Sequence, residues 1–234
     1  MTPLIILVDQ SGLVVAAPNL SDVVKVEYPP GTVQELELVN PNNIKLMIEQ
    51  MIQQYQLFQS EVMIILDNSV YFQKDIPTQD PVDQEKFMSE FESSVPLGSV
   101  FVRKYELEQK THVIAFNKQF YKALVRSLIE LGFTPKVLVP DMITIQLVGV
   151  SGLTKEIATL LAQAEDKLQK HSLLSPADTP QAPAPETVAQ PAQVAVSSQP
   201  TSKIRVYLML GLFVILISVL VWMLIANTSA QTTS

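Results

Sequence analysis

Residues 61–77 read EVMIILDNSVYFQKDIP, and this stretch decides the fold. It holds an unbroken apolar run at 62–66, an Asp67-Asn68 turn, a second strand candidate at 70–72 and a closing Ile76-Pro77. A short apolar run bounded by turn residues reads as a buried strand, because helices need roughly ten residues or more. Towards the C-terminus, Asp80-Pro81 opens a helix, with the capping residue followed by proline in the first turn. Phe87, Met88, Phe91 and Val95 line one side of it, and Pro96-Leu97-Gly98 stops it. Residues 100–106 and 112–116 form a strand pair. Asn117 caps a third helix with Phe120, Tyr121, Leu124, Leu128 and Ile129 as its buried stripe and Gly132 as its stop. Residues 137–139 and 143–148 read as strands. Thr154 starts a fourth helix with Ile157, Leu160, Leu161, Ala164 and Leu168 facing inward.

Towards the N-terminus the pattern also alternates. Apolar runs at 4–8 and 13–17 flank Asp9-Gln10-Ser11-Gly12, a hairpin signal. Residues 23–27 and 33–38 are strand candidates parted by Pro29-Pro30-Gly31. Asn40-Pro41 opens a first helix whose buried face is Ile44, Met47, Ile48, Met51, Ile52 and Tyr55. The expectation is an α/β (α+β) fold with mixed sheets, about ten strands and four helices.

The stretch from residue 61 to 142 resembles the PilM family of type IV pilus assembly proteins. It is also similar to the equivalent part of type II secretion GspL and of the cell-division protein FtsA. EVMIILDNSVYFQKDIP, the helix ending in EFESSVP, VFVRKYEL, THVIAF and NKQFYKALVRSLIELGFTPKVLVPD carry the likeness. Ile76-Pro77, Val95-Pro96 and Gly132-Phe133-Thr134-Pro135 fall where the family has its hydrophobic-Pro, (I/V)P and GL-x-P elements. The resemblance implies an SHS2-like βαββαβ subdomain, often called 1C, inserted in a truncated actin-like domain. Residues 1–60 resemble a degenerate form of the preceding actin-like lobe. Actin-like hairpins of the type Asp-x-Gly-(Ser/Thr) hold phosphate, but here Gly12 is displaced and no hydroxyl follows it. The adenosine-binding half would follow residue 142, where about 30 residues remain before a change in composition. No cofactor is therefore expected, ATP included.

Local chemistry points the same way. Asp9, Asp67 and Asp141 sit at strand ends, where catalytic carboxylates often lie, but turn formation explains Asp9 and Asp67 equally well. His112 has no Cys, Ser or Asp partner at a recognisable spacing. No GxxxxGK[ST] or GxGxxG occurs, the chain has no cysteine, and two histidines argue against a His-rich metal site. A net charge of −7 opposes nucleic-acid binding. The charge is uneven: residues 1–92 hold four Lys/Arg against fourteen Asp/Glu, and residues 93–172 hold ten against seven. Lys118, Lys122 and Arg126 stand i, i+4, i+8 along the third helix, a solvated face or a docking face for an acidic partner or anionic headgroups.

Residues 206–226 read VYLMLGLFVILISVLVWMLIA, 21 residues with no charge. That is long enough to cross a hydrocarbon core of about 30 Å as a helix. Lys203 and Arg205 precede the run and no Lys or Arg follows it, so the positive-inside rule places the N-terminal part in the cytoplasm. Tyr207 and Trp222 lie near its two ends, at headgroup level. The apolar run at 4–8 is too short for a signal-peptide core. Residues 175–202 hold six prolines among 28 residues and no aromatic, the composition of a disordered tether.

The expected organisation is a degenerate actin-like lobe (1–60), a 1C/SHS2-like subdomain with a C-terminal helix (61–172), a Pro/Ala-rich linker (173–203), a transmembrane helix (204–226) and a short extracytoplasmic tail (227–234). The expected protein is a non-enzymatic, single-pass inner-membrane scaffold of a pilus or secretion platform. Its expected partners are PilN-like platform proteins, an assembly ATPase and the lipid bilayer; an oligomer is compatible with this. An FtsA-like division scaffold and a nucleotide switch are the alternatives.

Overall fold

In the computed structural model, residues 3–77, 80–107 and 110–174 are described. A five-stranded mixed sheet forms the centre, built from β1 (Leu4–Asp9), β2 (Gly12–Ala16), β3 (Val24–Glu27), β6 (Glu61–Leu66) and β10 (Thr134–Pro140) in the order β10-β6-β1-β2-β3. β10, β6 and β1 run parallel, while β1, β2 and β3 are antiparallel. Leu4 to Val8 are all buried, as are Val62 to Leu66. Strands apolar on both faces must be covered on both faces, which is the rule for parallel sheets. The sheet crosses residue 60, since β1 and β6 are hydrogen-bonded neighbours.

Between β3 and β6 lie a two-residue-strand hairpin, β4 (Val33–Gln34) with β5 (Glu37–Leu38), and helix α1 (Pro41–Tyr55). Asn40 caps α1 by accepting from the Asn42 amide, and Ile44, Met47, Ile48 and Met51 are its buried face, as expected. A second, three-stranded antiparallel sheet of order β7-β9-β8 follows β6: β7 (Tyr71–Ile76), β8 (Val100–Leu107) and β9 (Lys110–Asn117). Helix α2 (Pro81–Ser94) closes one of its faces over Ile76, Val113 and Ala115. Ile114 and Phe116, on the alternate face, join the main core with Tyr121 and Leu124 of α3 (Lys118–Glu130). The chain order of the expected βαββαβ unit is present. Its closing strand, however, is β10, which joins the five-stranded sheet beside β6 instead of the small sheet. Val137, Leu138 and Val139 are each fully buried, which a central position satisfies.

Two readings are corrected. Residues 143–148, expected as a strand, belong to helix α4 (Asp141–Val148). Their β-branched run imitates a strand, but Pro140 ends β10 and Gly149, at φ 76°, terminates the helix by bonding back to the Thr144 and Ile145 carbonyls. Ile143 and Thr144 are buried side by side while Ile145 is exposed, which is not a period of two. The helix from Thr154 is broken at Ala164 into α5 (Lys155–Gln163) and α6 (Glu165–Gln169). Leu161 and Leu168 are buried as expected, but Leu160 faces solvent at 45% exposure. Among the described residues there are thus six helices, not four, and none is long and apolar enough to cross a membrane. The expected linker does not begin at residue 173: Leu173 is buried and its amide donates to the Leu138 carbonyl at 2.7 Å, so it belongs to the folded part. The rest of the linker, the transmembrane run and the tail lie outside the described residues.

Candidate functional site

In open α/β sheets, ligands gather beyond the carboxyl ends of the parallel strands. Here those ends carry Asp9 after β1, Asp67 after β6 and Asp141 after β10, brought into one row by the pairings Val8↔Leu66 and Leu66↔Pro140. The three carboxylates that the sequence singled out separately therefore share one edge. Each already has a structural task. Asp9 Oδ1 accepts from the Ser11 amide (2.6 Å), the Ser11 hydroxyl (2.5 Å) and the Gly12 amide (2.8 Å), and Oδ2 lies 3.3 Å from Lys25 Nζ. Burial alone would raise the Asp9 pKa, but the Ser11 and Lys25 interactions outweigh it and hold the carboxyl below its ordinary value. Asp67 Oδ1 accepts from the Ser69 amide and starts a 3-10 turn, Asn68–Val70. Asp141 is 5% exposed and accepts from the Tyr71 hydroxyl at 2.6 Å. Desolvation pushes the Asp141 carboxyl up despite that bond, and pushes the Tyr71 phenol up as well.

Gly12, displaced from the phosphate-binding pattern, has a packing role. A Cβ there would come 2.1 Å from the Val26 carbonyl oxygen and 2.8 Å from Glu27 Cα. The glycine lets β3 lie against the hairpin end, where Gly12 pairs with Glu27.

Beside this edge is a narrow cleft. Asp9 and Gln10 of the β1–β2 turn, Tyr28 and Leu36 form one wall, and Asn117 and Phe120 form the other. It encloses about 20 Å³. That is the scale of one water molecule, against several hundred Å³ for small-molecule sites. The Tyr28 ring meets Phe120 edge-on at 5.8 Å, and its buried hydroxyl has no hydrogen-bond partner among the described residues. Burial first, and then the Asp9 charge, raises the Tyr28 phenol. Leu36 enters the wall from a strained turn: Glu35 (φ 49°) and Leu36 (φ 64°) are both left-handed, as a two-residue type I′ hairpin requires. Neither is a residue that adopts this region readily. Glu37, next in the chain, ties the turn down. It accepts from the Gly98 amide through Oε1 and from Asn117 Nδ2 at 2.5 Å through Oε2. Asn117 also caps α3, accepting from the Phe120 amide at 2.8 Å, so the far wall is fixed to the same strut.

The basic residues Lys118, Lys122 and Arg126 are exposed along α3. Arg126 is committed to Glu130 at 2.7 Å, which Lys45 also reaches at 2.9 Å. Lys118 and Lys122 form no ion pair among the described residues. His112 faces Asp75 across the small sheet, ring nitrogen to carboxylate 2.7 Å, a surface pair. No cluster of His, Cys, Asp and Glu suited to a metal occurs among the described residues. Lys203, Arg205, Tyr207 and Trp222 lie outside them. Sequence reasoning missed Tyr28, Leu36, Glu37 and the pairing of Tyr71 with Asp141. Only Asn117 announced itself, as a cap.

No family model matches the chain, and no curated protein matches it in sequence. Solved structures similar to it include the following two. The PilM-PilN type IV pilus biogenesis complex aligns with 62% of this chain and 48% of that chain, at 17% identity and a TM-score of 0.46. The cytoplasmic domain of EpsL, an inner membrane component of the type II secretion system of Vibrio cholerae, aligns with 60% of this chain and 56% of that chain, at 13% identity and a TM-score of 0.37. The chain spans about half the length of each of these two structures.

Proposed function

We propose that this chain is a membrane-anchored scaffold of a type IV pilus or type II secretion inner-membrane platform, acting by protein–protein binding and not by catalysis. The observation that carries the reading is an insertion. The three-stranded sheet of β7, β8 and β9 is inserted in the chain between two parallel neighbours, β6 and β10, and the Ile76-Pro77, Val95-Pro96 and Gly132-to-Pro135 signatures of the sequence resemblance fall at the end of β7, the end of α2 and the α3–β10 junction. The site chemistry agrees with it. The carboxylates at the sheet edge are engaged in turns or burial, and the cleft beside them has apolar walls and fixed polar rims. Residues 204–226 hold the chain in the inner membrane with the folded part on the cytoplasmic side, and residues 175–203 give it reach. The proposed partners are a PilN-like membrane protein and an assembly ATPase. Lys118, Lys122 and Arg126 serve as a docking face, and no nucleotide is needed.

Affinity purification of the full chain from solubilised membranes of cells that assemble the platform tests this. The expected result is co-purification of platform proteins, reduced by the triple reversal K118E/K122E/R126E. Isolation free of them, or a clear thermal stabilisation by Mg-ATP, overturns it.

A further inference from the structure

β8 is an outer strand of the small sheet and, among the described residues, pairs only with β9. The Ser99 carbonyl accepts from the Lys118 amide just before the ladder begins. Antiparallel pairs alternate between bonded and non-bonded positions. Phe101, Arg103, Tyr105 and Leu107 therefore exchange bonds with β9, and the N–H and C=O groups of Val100, Val102, Lys104 and Glu106 point away from it. No backbone hydrogen bond among the described residues takes them up. Such a free edge is a template for another strand.

This edge differs from an ordinary one in having a groove beside it. About 430 Å³ lies between β8 and α2, floored by Met88, Ser89, Val100 and Val102 and flanked by Glu85 and Glu92. Neither flanking carboxylate forms an ion pair among the described residues, whereas the neighbouring Glu90 pairs with Lys86. Glu85 and Glu92 stand about 10 Å apart along the helix axis, two turns at 1.5 Å per residue. On a strand, residues i and i+4 share a face and lie about 13 Å apart, with i+2 between them. Two long cationic side chains at i and i+4 span to both carboxylates and set residue i+2 over Met88 and Val102. Lys118 closes the Val100 end of the groove and disfavours a third cation there.

We infer that the β8 edge and the α2 groove bind an extended segment of a partner protein by strand addition, with the pattern basic-x-apolar-x-basic on the side facing α2. Backbone bonds to Val100, Val102 and Lys104 supply the register, and Glu85 and Glu92 select the charges. This surface is separate from the Tyr28–Asn117 cleft and does not rest on the scaffold reading.

The test uses the full chain in detergent micelles and a labelled peptide, Thr-Lys-Thr-Val-Thr-Lys-Thr, followed by fluorescence anisotropy at low salt. Saturable binding is expected. Val102→Pro deletes an outward N–H that the β9 ladder does not use, and proline is tolerated on edge strands. It should weaken binding at least about tenfold with an unchanged melting curve, as should E85K/E92K and N-methylation of alternate peptide amides. Absence of saturable binding overturns the proposal. So does equal binding by V102P, or a homodimer seen by sedimentation that V102P dissolves, which assigns the edge to a second copy. Should V102P fail to fold, E85K/E92K and the N-methylated peptide decide.

Discussion

Asp141 is a carboxyl group kept out of water, with the Tyr71 hydroxyl as its side-chain donor. Because its folded pKa is raised, the folded state holds the proton more tightly than the unfolded chain. The benefit is complete below the ordinary carboxylate pKa of about 4 and is lost as pH rises through the raised folded value. Asp141→Asn keeps an acceptor for Tyr71 and removes the charge. Melting curves from pH 4 to 7 should therefore be flatter for D141N than for the parent. Tyr71→Phe leaves the carboxylate buried without that donor and should cost about 1–3 kcal/mol at neutral pH. At the cleft, two left-handed non-glycine residues store strain of roughly 1 kcal/mol each. The double change Glu35→Asn/Leu36→Gly should raise the melting temperature yet reduce partner capture, because it removes the Leu36 wall. An unchanged melting temperature with full capture would show that Leu36 is neither strained nor used. The sequence marked Asp141 only as a strand-end carboxylate, and it marked neither Tyr71 nor Glu35 nor Leu36. Tyr71 and Asp141 are 70 positions apart, and a partner at that separation carries no local pattern.

The elements with caps and apolar faces were legible. α1, α2 and α3 begin at Asn40, Asp80 and Asn117, each accepting from an amide of its own first turn. The β1–β2 hairpin closes on the Asp9 turn as read. What failed was periodicity in short apolar segments. Residues 143–148 have the composition of a strand, but Gly149 and the burial of adjacent residues make them a helix. Leu160 matched a helical stripe in the sequence, but α5 turns Ala158 and Leu161 inward and leaves Leu160 outside. At Gly12 the sequence showed a displaced phosphate glycine, while the contact that fixes it is the backbone of β3, more than a dozen residues away. Gly12→Ala should destabilise the domain by about 3 kcal/mol, since backbone and not a side-chain tip must yield. Chemical denaturation measures this, and a change under about 0.5 kcal/mol would mean that β3 moves away freely.

At the scale of the molecule, the mixed α/β class was legible from alternating strand and helix signals, and the order of the elements from 61 to 140 from the quoted motifs. The partition was not. Which sheet takes β10 depends on a pairing with β6 that spans the whole inserted unit. That insertion places the three-stranded sheet of β7, β8 and β9 beside the five-stranded one, with the cleft lined from both. Two walls braced by Glu37 and Asn117 form a rigid surface, and rigid surfaces suit binding with little ordering cost. The scaffold reading is tested most directly by equilibrium binding of the full chain, reconstituted in nanodiscs, to a purified PilN-like protein without nucleotide. Saturable binding with a Kd of about 1 µM or tighter, near −8 kcal/mol, is the expected result, unchanged by Mg-ATP. Binding absent up to about 100 µM, or present only with Mg-ATP, contradicts it.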